Sequence, residues 1–207
     1  MYLPSMAGQE VAMWKHNSLL LLFVASLTAC APDLPSPYHA MDVSWQHTKA
    51  DFHLTDFNGK TRSLEDFSRK VVVLFFGYTH CPEVCPTTLA DLAQVMRMLG
   101  KDADRVQVLF VTLDPERDSP ELLAQFVPSF DHSFLGLYGD AQATAQAAQA
   151  FGVNFVKQFN KHGGYTVDHS DGTFLIGING QPLLLSPYGQ RTELVLQDIK
   201  LLLAIGR

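Results

Sequence analysis

An α/β sandwich is the fold class that three features of this sequence predict. Residues 71–76 are an unbroken apolar run rich in β-branched and aromatic side chains, the pattern of a strand buried on both faces, and residues 106–113 (VQVLFVTL) read as a second buried strand. Each is followed by apolar residues at helical spacing, as in Leu89, Leu92, Ala93, Met96 and Leu99 after the first run. The chain then closes with two short apolar runs joined across Asn179-Gly180 and a final amphipathic stretch. Strands that alternate with helices and end in a hairpin build a sheet covered by helices on both faces.

Taken in order, residues 52–55 alternate apolar and polar. Asn58-Gly59 predicts a type I′ turn, with a returning strand from Thr61 and a short helical turn over 64–67. The strand over 71–76 stops at Gly77, and Cys81 and Cys85 follow. Pro86 lacks an N–H, fits a first helical turn and disfavours α geometry at Cys85, so the helix is expected over 87–99. Asp114-Pro115 ends the second strand, and Ser119-Pro120-Glu121 opens a helix carrying Leu122, Leu123, Phe126 and Val127. A strand over 134–138 precedes an Ala/Gln helix capped by Asp140 and closed by Gly152. Strands over 173–178 and 182–186 and a helix over 192–205 complete a thioredoxin-like three-layer sandwich with an added N-terminal β-hairpin. The sequence contains no internal repeat and no second domain.

The cysteine loop is the chemical centre of this plan. A loop between a strand end and a helix N-terminus collects unpaired N–H groups and the positive end of the helix dipole. Such a place lowers thiol pKa values and favours thiolates, which attack disulfides and bind metals. For the pair alone, two buried structural cysteines or a structural disulfide is the alternative.

The 207 residues suit one domain with extensions, and an apolar fraction of 47% supports a real core. A net charge of −6 with no basic run excludes nucleic acid as a partner class. Residues 18–29 form an apolar run, preceded by Lys15 and ending in small residues, that reads as a targeting segment. Leu27-Thr28-Ala29-Cys30 resembles the bacterial lipobox, which implies lipidation of Cys30, with an ordinary signal peptide or a short membrane anchor as the alternative. The expected organisation is a signal peptide over 1–29, a lipidated cysteine and flexible tether over 30–49, and the folded domain over 50–207. Met13 is an alternative start. The domain would then face the periplasm or another oxidising extracytoplasmic space, held to a membrane by lipid.

Three short stretches together, Cys81-Pro82-Glu83-Val84-Cys85-Pro86, Asp114-Pro115-Glu116-Arg117-Asp118 and Asp168-His169-Ser170, make the chain from about residue 50 to 205 resemble the Sco/SenC family. That resemblance implies a thioredoxin-like metallochaperone that carries copper to the dinuclear copper centre of cytochrome c oxidase. It implies metal ligands at Cys81, Cys85 and His169, and the copper-bearing oxidase subunit as partner, with a thiol reductase or another copper chaperone as further partners. Glu83 and Gly177 stand where relatives often carry aspartate, and neither is a ligand. Two thiolates and an imidazole suit copper as Cu(I) or Cu(II), with sulfur favouring Cu(I). His169 is expected in the loop before the strand over 173–178. Asp168 either orients its imidazole or is an exposed turn acid.

Tyr78 is expected beside the site and His80 as a solvated loop histidine. Asp114 and Asp118 are read as strand termination and helix entry, and Arg117 as meeting solvent or a partner. His162-Gly163-Gly164 reads as a mobile loop or lid, and His39, Met41 and His47 as an accidental cluster in the tether. The competing function is an extracytoplasmic thiol–disulfide oxidoreductase in which Cys81 or Cys85 attacks and the other resolves. Against it stand the three-residue spacing and the absence of any proline between Pro128 and Pro182, where such enzymes carry a cis-proline. A peroxidase fits Thr79-His80-Cys81 poorly, and a zinc site lacks an evident fourth ligand.

Overall fold

The computed structural model describes residues 36–46, 50–161, 163–181 and 183–205. The targeting segment and Cys30 lie outside them. One compact unit takes in the chain from Pro37 onward. The reason is a short strand, β1 (Met41–Asp42), that docks on the sheet edge, while the N–H groups of His39 and Ala40 both reach the buried carboxylate of Asp198 at 2.8 Å. His39 also meets Gln197 at 2.8 Å, and His47 lies outside the described residues.

The hairpin of β2 (Leu54–Asp56) and β3 (Thr61–Arg62) forms as expected, but only Gly59 in its turn has a positive φ. A type I′ turn needs two such residues. Gly59 N–H instead bonds the Asp56 carbonyl and Asp56 N–H the Lys60 carbonyl, a three-residue connection ending in a left-handed glycine. The strands β4 (Val71–Gly77), β5 (Val106–Thr112) and β6 (Leu135–Tyr138) are parallel neighbours. β9 (Thr173–Ile176) and β10 (Leu183–Ser186) form the late hairpin, with β9 antiparallel to β4. The sheet order is β1-β10-β9-β4-β5-β6-β2-β3.

Among the described residues four α-helices cover this sheet: α1 (Val84–Leu99), α2 (Pro120–Phe126), α3 (Ala141–Ala150) and α4 (Thr192–Ile205). Phe75, Phe110 and Gly136 share one face by register, and there they meet Cys85 of α1 and Phe126, Leu123 and Val127 from the α2 region. α4 packs on α1. Phe76 and Phe174 point the other way and meet Phe151 at the end of α3. Caps read from sequence are present: Ser119 accepts from Leu122 N–H, Asp140 from Ala143 N–H, and Gly152 follows α3 with φ +67°.

One hairpin was not expected. β7 (Phe155–Phe159) and β8 (Tyr165–His169) pair with each other and with no strand of the main sheet. Its turn holds Gly163 with φ +81°, again with a three-residue connection, where a loop or lid was expected; His162 lies outside the described residues.

Parallel register places Gly77 of β4 beside Thr112 of β5, so the loops after both strands leave the same end of the sheet. Gly77 has no room for a side chain. A Cβ there would stand 2.8 Å from Cys85 Sγ, 3.0 Å from Phe110 and 3.1 Å from Phe75. Gly77→Ala is expected to cost about 1–3 kcal/mol by overpacking and to displace the Cys85 thiol; urea unfolding together with the rate of Cys85 alkylation measures both. A second expectation concerns acid. Burial pushes the Asp56 carboxyl up, but the N–H groups of Lys60 and Asn58 and the Arg62 guanidinium outweigh it and hold it below its ordinary range. Such a carboxyl stabilises the fold above its unfolded pKa of about 4 and ceases to as pH falls through the lower folded value. Asp56→Asn should therefore be less stable at neutral pH by about 1–3 kcal/mol, with the gap to the parent narrowing as urea midpoints are followed down to about pH 3.

Candidate functional site

The cysteine loop is held from beneath by a buried carboxylate. Asp118, 1% exposed, accepts from Thr79 N–H at 3.0 Å, from the Thr79 hydroxyl at 2.6 Å and from the Thr112 hydroxyl at 2.6 Å. His80, half exposed, lies 3.0 Å from Thr79 Oγ1 and 3.6 Å from Asp118. Asp118 therefore does more than open a helix: it ties the end of β5 to the segment that leads from β4 to Cys81.

The helix starts earlier than the prolines suggest. α1 begins at Val84, and the first helical bond runs from Thr87 N–H to the Glu83 carbonyl at 3.1 Å. Pro86 is thus the third helical residue, where an N–H would have no partner within the helix anyway. Cys85 consequently lies inside the first turn. Its N–H donates to Cys81 Sγ at 3.4 Å, so the two sulfurs share one end of the helix. Both are thiols without a disulfide.

The pair is unequal. Cys81 is partly exposed, whereas Cys85 is fully buried behind Gly77. Burial pushes the Cys85 thiol far up, opposed by a bond from the Tyr78 backbone and reinforced by Cys81 and Asp118. At Cys85 burial thus works against the thiolate character expected of the pair. Only Cys81 combines access with a donor from the helix N-terminus.

His169 ends β8; the expected loop is a strand end. Its Nδ1 lies 2.9 Å from the Ser170 carbonyl, a contact that requires Nδ1–H and leaves the lone pair on Nε2. Asp168 is exposed and makes no contact with that ring nitrogen, so the backbone and not the neighbouring acid orients the imidazole. Asn154 N–H bonds Ser170 Oγ at 3.1 Å and Ser170 N–H the Asn154 carbonyl at 2.9 Å, which closes the base of the hairpin just beyond His169.

Tyr78 bridges the two parts. It is 3% exposed, bonds the Val167 backbone and meets the His169 ring edge-on at 6.4 Å. A cavity of about 420 Å³ has Cys81, Tyr78, Asp168 and His169 in its walls. Among the described residues, however, no three His, Cys, Asp or Glu side chains lie close enough together to hold a metal ion. The structure places His169 on the wall facing the cysteine loop without closing it onto the sulfurs. Arg117, read from sequence as a solvent or partner contact, turns inward onto Asp114 and Tyr165. No sequence pattern had marked Tyr165.

The SCO1/SenC family model matches residues 42–204. Among similar proteins, the human mitochondrial SCO2 homolog is 38% identical over 145 residues, covering 69% of this chain and 54% of its own. The chain thus spans about half the length of this and the zebrafish relative, 54% and 48%. Of solved structures, copper-bound Bradyrhizobium japonicum ScoI is 39% identical with a TM-score of 0.66, covering 72% of this chain and 96% of that one. Apo Sco1 from Thermus thermophilus is 40% identical with a TM-score of 0.66, covering 82% and 94%. A thioredoxin-like sheet with an unequal cysteine pair at a helix N-terminus and a histidine hairpin facing it, matched by a family model over 42–204, makes this chain a member of the SCO1/SenC family.

Proposed function

We propose that this protein binds one copper ion through Cys81, Cys85 and His169 and passes it by ligand exchange to the copper-bearing subunit of a cytochrome c oxidase. The observation that carries the reading is the imidazole of His169, held with Nε2 available on the wall opposite Cys81 while the paired thiols share the first turn of α1. Two sulfurs and one nitrogen suit copper, sulfur favouring Cu(I). The copper-bound Bradyrhizobium japonicum relative supports the choice of metal. Copper is cargo here, so nothing turns over, and the oxidase follows from the family resemblance.

Loading has a defined order in this reading. Cys81 is the accessible donor and meets the ion first. Cys85 must give up its proton and His169 must close from the facing hairpin, which excludes water from the metal. Release reverses these steps, with His169, borne on the separate two-stranded sheet, leaving first. No described helix is long and apolar enough to cross a membrane. We place the domain outside the cytoplasm, attached through lipid on Cys30; loss of fatty-acid labelling in Cys30→Ser tests that attachment.

One observation favours a second reading. An exposed thiol backed by a buried one at a helix N-terminus is also the arrangement of a thiol–disulfide oxidoreductase, with Cys81 attacking and Cys85 resolving. Copper titration of the reduced protein against a competing chelator separates the two. One equivalent of Cu(I) is expected, lost in Cys85→Ser and weakened in His169→Ala by at least about tenfold, since even outer partners of a ligand are worth that much. Copper binding indifferent to His169, together with fast exchange on a model disulfide, would move the protein to the oxidoreductase class.

A further inference from the structure

Hairpin β7–β8 carries His169 yet shares no strand pairing with the main sheet, so something else must set its pose. At the end of β8 far from His169, Tyr165 is locked to the loop after β5. Its hydroxyl donates to Asp114 Oδ1 at 2.8 Å, and Asp114 is fully buried. Arg117 Nε donates to the other oxygen of that carboxylate, and Arg117 Nη1 donates to the Tyr165 carbonyl at 3.0 Å. The guanidinium carbon lies 3.8 Å from the centre of the Tyr165 ring, a close cation–π contact. Lys157 of β7 adds a weaker hold, 4.7 Å from the same ring and 2.6 Å from Glu116. That ion pair is largely exposed and contributes little by itself.

We propose that Asp114, Arg117 and Tyr165 are positioning residues for His169: they set the angle at which the hairpin faces the cysteine loop, and through it the strength of the copper–imidazole bond. This rests on the ligand assignment above. The argument is one of leverage. His169 lies four residues along the strand from Tyr165, about 13 Å away, so a tilt of about 5° at the lock moves the imidazole by about 1 Å. Metal–nitrogen bonds tolerate only ~0.2 Å. Nearer His169 the hairpin is held by the Val167 backbone bond to buried Tyr78 and by the Asn154–Ser170 pair next to Gly152 and Gly172 with positive φ, so the lock at Tyr165 fixes the remaining freedom, the tilt about those contacts. Charge explains why the lock is strong: a buried carboxylate must be paired, and Arg117 with the Tyr165 hydroxyl supplies that pairing.

The test is a set of double-mutant cycles on the full protein. Arg117→Gln and the milder Tyr165→Phe, which keeps the ring and loses only the hydroxyl, are each made with His169 present and in His169→Ala. Cu(I) affinity is read by chelator competition, and imidazole coordination by nitrogen hyperfine structure in the spectrum of the Cu(II)-loaded protein. With His169 present, Arg117→Gln should weaken Cu(I) binding by up to, and no more than, the loss seen in His169→Ala, on the order of tenfold, and diminish the nitrogen signal. Tyr165→Phe should do the same to a smaller extent. In His169→Ala, Tyr165→Phe should change affinity no further, because the ligand it positions is gone, and Arg117→Gln, whose guanidinium also lies 5.8 Å from the Tyr78 ring, should lose most of its effect. Equal losses in both backgrounds, or an unchanged nitrogen signal in both variants, would reduce the lock to a fold contact and overturn the inference. A His169→Ala protein that binds copper as the parent does would defeat the ligand assignment itself, and this inference with it.

Discussion

Gly77 and Thr112 end neighbouring parallel strands in register, and that pairing decides which loops can meet. Two parallel strands that stop together send their connections out at the same end of the sheet, where α/β proteins commonly bind ligands. Here the connections are the cysteine loop and the Asp114–Asp118 loop. Asp118 then fastens one to the other, and Asp114 reaches out to the hairpin that bears His169. Three stretches distant in sequence become one site because of where two strands terminate.

Glycine at the last position of β4 is the second condition. Cys85 can be buried in the first turn of α1 only because residue 77 has no side chain to occupy the same space. The burial makes the two cysteines chemically different although their sequence surroundings are alike, each being followed by proline. An inner sulfur shielded from solvent resists oxidation and exchange, while an outer one meets whatever arrives. That division keeps one sulfur secluded while the other stands at the opening of the site.

Much of this was legible in the residues. The apolar run of β4 declares itself because a strand buried on both faces carries almost only apolar residues, and β5 follows the same pattern apart from Gln107 and the bonded Thr112. Ser119 and Asp140 are recognisable caps because helix starts need a side-chain acceptor. The limits are equally physical. Hairpin β7–β8 escaped notice because its strands are mostly exposed, with Val156 and Phe159 facing solvent, so they show neither a continuous apolar run nor a clean alternation. α1 starts ahead of Pro86 because the first three helical positions all tolerate proline, so Pro86 bounds the start without marking it. Arg117 and Asp114 stood in a recognised motif, but their partner Tyr165 lies 51 residues beyond Asp114, and no local pattern announces a contact of that range.

The two outer strands of the main sheet, β1 and β3, are each two residues long, and Asp42 or Arg62 sits on them. Backbone groups left open at a sheet border invite another chain to add itself, and brevity with charge removes the invitation. Copies crowded together would therefore find little to template on at the borders of the main sheet. Such a molecule can be concentrated without its main sheets joining edge to edge, and the separate β7–β8 hairpin is left as the place where strand edges stay open.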